Sequence, residues 1–358
     1  MRKHYIDNLR WMVILLLIPY HVAQAFNTWG EPNYIIFNSS RTLSSIIVFF
    51  SPFIMPLLFL LAGMSTRFAL KKRSVGQYIS ERCKRLIVPL LFGVIALLPV
   101  MTFLADKYNY HYEGSFLSHY RIFFTRVTDF TGADGGFSFG QFWFLLYLFV
   151  ISLLAVGIIA IQKKCIAKRV KTIPTWVILL FGLPLPLFND WLSIGGKSLV
   201  EYLYVFLLGY YVFSDDAVIE RISKWKVPFL LIGVVSGILD VYLFLWSGTS
   251  YATLNTIARF VTEWFMILGL LSFGSEHINF NNKISAYLSR TSFAVYSLHF
   301  IFVVVTQYLF ADVFAGNKVL LFLVPVILSY ILTFLASEVF LRVPVLRFLI
   351  GVKPEKKK

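Results

Sequence analysis

Charge is scarce in this sequence. Only 14% of its 358 residues are Asp, Glu, Lys or Arg, where a soluble domain usually carries about 25%. Cysteine is scarcer still: Cys83 and Cys165 are the two, each inside a basic cluster with no metal-ligand spacing. Neither a disulfide framework nor a thiolate metal site is expected from them. His-Glu-x-x-His and the phosphate-binding glycine loop are missing, which argues against zinc hydrolases and P-loop enzymes. No strong internal repeat is visible, and this counts against a transporter built from two inverted halves.

What the chain has in abundance is apolar length. Hydrophobic residues make up 58% of it and the mean hydropathy is +0.74, which predicts an all-α polytopic bundle in a lipid bilayer, each span about 20 residues. Ten apolar segments stand out, near 9–27, 44–70, 86–104, 141–162, 173–190, 198–213, 227–247, 252–273, 291–310 and 319–341. The first is too long for a cleaved signal peptide and no small-residue cleavage site follows it. With ten spans and a cytosolic N-terminus, the inside segments hold 25 Lys and Arg and the outside segments 6. That asymmetry favours both termini in the cytosol. It also accounts for the net charge of +15 without a nucleic-acid partner, since no recognition helix or RNA-binding signature accompanies it. Residues 105–140, rich in glycine toward the end, then form an extracytoplasmic loop: either a plain connection or a lid. Residues 342–358 form a basic cytosolic tail, and residues 1–358 are expected to be one integral membrane domain.

Two residues of the first segment, "YIDNLRWMVILLLIPYHVAQAF", do not suit a plain span. Arg10 and His21 are eleven positions apart, so on a helix they project within about 20° of each other, about 16 Å apart along the axis. An ionisable residue at membrane depth is costly unless paired or wetted, and histidine suits general-base work. A structural histidine with Arg10 as a positive-inside anchor fits the same pattern equally well. Arg82 and Arg85, three apart before the third span, would share a helix face and could clamp a phosphate or pyrophosphate, such as that of coenzyme A, bidentately. In isolation, positive-inside charge explains them better. Glu201, Asp240, Arg259 and Glu263 are further polar residues within apolar segments. Arg259 and Glu263, four apart, are expected to pair, and none of the four is given a chemical role.

Taken in order, Asp7-x-x-Arg10, ten residues to His21, and Arg82-x-x-Arg85 ahead of a third span resemble the acyltransferase-3 family of membrane acyltransferases. "GQFWFLLYLF" (140–149), "SFAVYSLHF" (292–300) and "SEVFLRVPVLRFLIGVKP" (337–354) are similar to its glucan biosynthesis protein C branch. The resemblance implies about ten helices and transfer of a short acyl group, acetyl or succinyl, from acyl-CoA to a carbohydrate of the cell envelope. It makes His21 the catalytic base, Arg10 its partner, and Arg82 and Arg85 the acyl-donor ligands. Tyr296 and His299 match the branch's Tyr-x-x-His, either as an acceptor-orienting or proton-transfer pair or as helix packing. Glu338 also matches, although a salt bridge to Arg342 four residues on explains it plainly. Acyl-CoA is then a cosubstrate, no bound cofactor or metal is called for, and a bacterial cytoplasmic membrane is the expected location. A transporter of an envelope precursor, with Arg10 and His21 lining its path, is the rival reading. An inactive binding protein of the same fold is a third.

Overall fold

The computed structural model describes residues 3–130, 136–162 and 173–353. The basic cluster at 163–171, residues 131–135 of the outer loop and the tail beyond 353 lie outside them. The described chain is helical nearly throughout: α1 (His4–Gln24), α2 (Arg41–Leu70), α3 (Val75–Asn109), α4 (Phe116–Thr125), α5 (Gly140–Ile161), α6 (Thr175–Leu180), α7 (Leu185–Phe188), α8 (Leu199–Phe213), α9 (Asp216–Ser223), α10 (Lys226–Trp246), α11 (Ala252–His277), α12 (Lys283–Phe310), α13 (Lys318–Arg342) and α14 (Pro344–Leu349). Two two-stranded pairs, β1 (Val127–Phe130) with β2 (Phe137–Ser138) and β3 (Ser193–Ile194) with β4 (Lys197–Ser198), are the strands among the described residues.

Eight of these helices, α1, α2, α3, α5, α10, α11, α12 and α13, are long and apolar enough to cross a membrane, and they fall on eight of the ten expected segments. The other two differ for local reasons. The 173–190 run is broken into α6 and α7, because Pro174, Pro184 and Pro186 each remove a helix donor. The 198–213 run forms α8, but the chain then turns through 96° into α9, which Asp215 starts by capping the Ala217 N–H at 3.0 Å. A ninth span exists if α8 and α9 count as one bent element. The 105–140 connection, expected to form a loop, has structure of its own. In α4, His119 is wholly buried and lies 3.0 Å from Asp106, edge-on to the rings of Phe103 and Tyr112.

The chain divides into two compact units. The first comprises residues 1–13, 48–81 and 150–289. Here α10 and α11 pack along their length, and α2 meets α8 at a pair of glycines. A Cβ on Gly63 would lie 2.0 Å from the Phe206 carbonyl oxygen, and one on Gly209 would lie 2.1 Å from that of Leu60. Hydrogen is the only substituent that permits so close a backbone approach, a familiar device where helices pack in lipid. Glu201, Asp240 and Glu263 are all buried in this unit. Asn255 donates to Asp240 at 2.6 Å. The expected Arg259–Glu263 pair is electrostatic and not a close bridge: Arg259 is exposed over the Phe260 ring and its charge acts on Glu263, whose Oε1 has no hydrogen-bond partner among the described residues.

The second unit comprises residues 14–47, 82–149 and 290–358. Its α3 widens into two π-helical turns, Cys83–Ile87 and Gly93–Leu97. Gly93 admits the buried Phe142 ring, which a Cβ there would meet at 2.2 Å. Glu338 makes the expected bridge to Arg342 at 3.3 Å and approaches Arg290 at 3.6 Å.

Candidate active site

His21 stands in the last turn of α1, where a helix leaves carbonyls without in-helix donors. Side chains supply them. Gln307 donates to the Val22 carbonyl at 3.1 Å, and Asn27 donates to that of Gln24 at 3.0 Å. Two residues before His21, Pro19 lacks the N–H that would reach the Leu15 carbonyl; the Tyr330 hydroxyl donates to that carbonyl instead, at 2.8 Å. The backbone carrying His21 is therefore held by α12, α13 and the turn that follows α1.

The imidazole is fixed on two sides. Phe300 stacks on it at 4.1 Å between centroids and 19° between planes. Its Nδ1 lies 2.7 Å from Gln24 Oε1. A carboxamide oxygen only accepts, so in the neutral ring Nδ1 carries the proton and Nε2 keeps its lone pair. That is the tautomer a general base requires.

The structure brings His299 to His21, with ring centroids 5.3 Å apart. His299 is completely buried, and its Nδ1 lies 2.8 Å from the Tyr296 carbonyl. By the same reasoning Nδ1 donates, and Nε2 is an acceptor with no partner among the described residues. Tyr296, one turn back along α12, donates its hydroxyl to the Gln141 carbonyl at 2.6 Å. His299 thus lies against His21, and Tyr296 lies behind it on the same helix.

Arg10 lies on α1 as well. Its guanidinium is engaged by Asp7 at 3.0 Å and by the Ser65 hydroxyl at 2.9 Å. Arg82 closes the regular first part of α3, whereas Arg85 falls within the Cys83–Ile87 π turn. A π turn holds more residues than an α turn, so the two side chains diverge from the common face that three α-helical positions would give. Gly351, at φ +67°, packs against the Arg85 backbone so closely that a Cβ on it would lie 2.9 Å from the Arg85 carbonyl oxygen. Among the described residues no group of three or more His, Cys, Asp and Glu is placed to hold a metal ion.

A family model described as an acyltransferase domain matches residues 3–341. The chain belongs to the acyltransferase-3 family. No curated protein and no solved structure matches it. Membership in the acyltransferase-3 family, with eight helices suited to crossing a bilayer, points to acyltransferase activity in a multi-pass membrane protein. Within this acyltransferase-3 chain, two neighbours of His21, Gln24 and Phe300, and one contact of Tyr296, Gln141, are not among the residues that the sequence marks as a site. Gln24 has a usable signal, since it lies three positions after His21 on the same helix face. Gln141 and Phe300 fall within the segments 140–149 and 292–300 that carry the family resemblance, but nothing local pairs them with Tyr296 and His21, which are contacted from distant parts of the chain.

Proposed function

We propose that this acyltransferase moves a short acyl group, acetyl or succinyl, from cytosolic acyl-CoA to a hydroxyl of an extracytoplasmic carbohydrate, with His21 as the general base. The observation that carries this reading is the His21 ring itself: Gln24 commits Nδ1 as donor, so the lone pair of Nε2 can take a proton. Nε2 removes the proton from the acceptor hydroxyl as its oxygen attacks the thioester carbonyl. The carbon–sulfur bond then breaks, and the coenzyme A thiolate recovers the proton from the imidazolium.

Arg82 and Arg85 are assigned to the phosphates of the donor, a role guanidinium groups serve well. Arg10 keeps the role of partner that its spacing from His21 gives it. Cytosolic termini follow from the distribution of Lys and Arg, and they leave α3 opening toward the side where acyl-CoA is made. Similarity of 140–149, 292–300 and 337–354 to the glucan branch favours a succinyl group and a glucan acceptor. Family membership does not favour a transport role for Arg10 and His21.

The test is release of free coenzyme A from acetyl- or succinyl-CoA by the purified protein, with and without glycans. His21→Ala is expected to insert and fold, yet to lose about 10²–10⁴-fold in rate, the span of a general base's contribution. Acylation at the wild-type rate in that variant would overturn the assignment.

A further inference from the structure

The buried carboxamide of Gln141 is unsatisfied among the described residues. Gln141 is 5% exposed, and neither its Nε2 nor its Oε1 has a hydrogen-bond partner there. Buried polar groups are nearly always satisfied, and the exceptions call for an explanation. The backbone around this one is built with care. Gly140 takes φ +45°, a conformation that costs glycine little, and so opens the short 3₁₀ turn Gly140–Phe142. Ser138 accepts from the Gly140 N–H at 2.8 Å. Tyr296 binds the Gln141 carbonyl.

Two chains of contact run from this turn to the histidine pair. One is Tyr296, whose hydroxyl holds Gln141 and whose carbonyl orients His299. The other starts at Gly140, where a Cβ would lie 2.8 Å from the Tyr34 hydroxyl oxygen. The Tyr34 ring sits edge-on to Phe300 at 5.3 Å, and Phe300 stacks on His21. Three polar atoms without a partner among the described residues thus belong to residues linked by these contacts: Gln141 Nε2, a donor, and Gln141 Oε1 and His299 Nε2, both acceptors. They ask for one acceptor and two donors. A thioester brings only acceptors, and a lone alcohol brings a single donor. A carbonyl oxygen together with a polyhydroxyl acceptor supplies the whole set.

We propose that Gln141 is a catalytic residue that binds the reacting acyl carbonyl, its Nε2–H donating to the oxygen as the tetrahedral centre forms, while Gln141 Oε1 and His299 Nε2 accept from hydroxyls of a polyhydroxylated acceptor. This rests on the acyl-transfer reading above. In the step, the acceptor oxygen bonds to the carbonyl carbon and its proton passes to His21 Nε2. The carbonyl π pair moves onto the oxygen facing Gln141. When that pair returns, the carbon–sulfur bond breaks and the thiolate takes the proton from His21. Atoms and charge balance without any further reagent. A donor held in a dry site stabilises the oxyanion more than the ground-state carbonyl, so its effect falls on kcat.

The test compares the full-length wild type with Gln141→Leu and Gln141→Glu for kcat, KM for acetyl- or succinyl-CoA, and Tm. Gln141→Leu removes two unsatisfied buried atoms, so its Tm is expected at or above that of the wild type. Its kcat is expected to fall about 10²–10³-fold, as when one oxyanion donor is lost, with KM for the acyl-CoA within about threefold of wild type. Gln141→Glu preserves the shape but offers no donor once its carboxyl is ionised, so it is compared at a pH above that carboxyl's pKa, where it is expected to be equally slow. Wild-type kcat in either variant overturns the proposal, as does a Gln141→Leu loss that tracks a lowered Tm and is matched by an active Gln141→Glu. A wild type that releases no coenzyme A from any acyl donor overturns the transfer reading, and this assignment with it. An active wild type beside an active Gln141→Leu overturns this assignment alone.

Discussion

Gln24 lies 2.7 Å from the Nδ1 of His21, three positions along the same helix. The contact does for His21 what a carboxylate does in a catalytic triad, holding the ring in one orientation and one tautomer, but without a charge. Gln24→Leu should therefore leave the imidazole present and misdirected. A fall of about ten- to a hundredfold in kcat is expected, within the range of what general-base catalysis supplies. KM for acyl-CoA should be unchanged, because Gln24 touches no donor group in this scheme. Steady-state kinetics check it: a variant with wild-type kcat would mean that Phe300 stacking alone orients the ring.

Much of this arrangement is legible along the sequence because it is local. Arg10 and His21 share a helix, and Tyr296 and His299 share another, so spacing alone puts each pair on one face. Spacing misleads where the helix is not regular. Arg85 sits on a π turn that a period of 3.6 residues does not anticipate. The 173–190 run is apolar enough to span, yet its three prolines set two short helices in its place. At Arg259 and Glu263, four apart, burial keeps the pair from closing into a bridge: Arg259 is exposed and Glu263 buried, although the guanidinium still acts electrostatically on that carboxyl. Gln141 is the hardest case. It meets Tyr296, 155 positions away, and no local pattern encodes such a contact.

Arg82 and Arg85 are expected to act on binding rather than on chemistry. Arg82→Ala and Arg85→Ala should each raise KM for acyl-CoA by about tenfold or more, roughly one charge-assisted hydrogen-bonded contact, and change kcat far less. Arg82→Lys keeps the charge but loses the planar fork that grips a phosphate bidentately, so it should restore only part of the affinity. Because the two side chains leave α3 from different kinds of turn, they reach different donor oxygens, and the double variant should lose close to the sum of the single losses in free energy. Titration of acyl-CoA at fixed salt measures all of these. A KM unmoved in both single variants would remove the pair from the donor site and return it to membrane topology.

Tyr330 and Pro19 make a pair whose coupling has a definite sign. Proline 19 denies the Leu15 carbonyl its helical donor, and the Tyr330 hydroxyl takes the vacant place at 2.8 Å. Tyr330→Phe leaves that carbonyl without a partner, at an expected cost of about 1–3 kcal/mol. Pro19→Ala restores an N–H two residues before His21, so the helix can satisfy Leu15 by itself. In the Pro19→Ala background, Tyr330→Phe should then cost distinctly less than it does in the wild type, a coupling of about 0.5–1.5 kcal/mol if one hydrogen bond replaces the other. Thermal melts of the four proteins in one detergent give the cycle directly. Purely additive losses would mean that Tyr330 stabilises α1 by packing, and that its hydroxyl does not stand in for the missing helix donor.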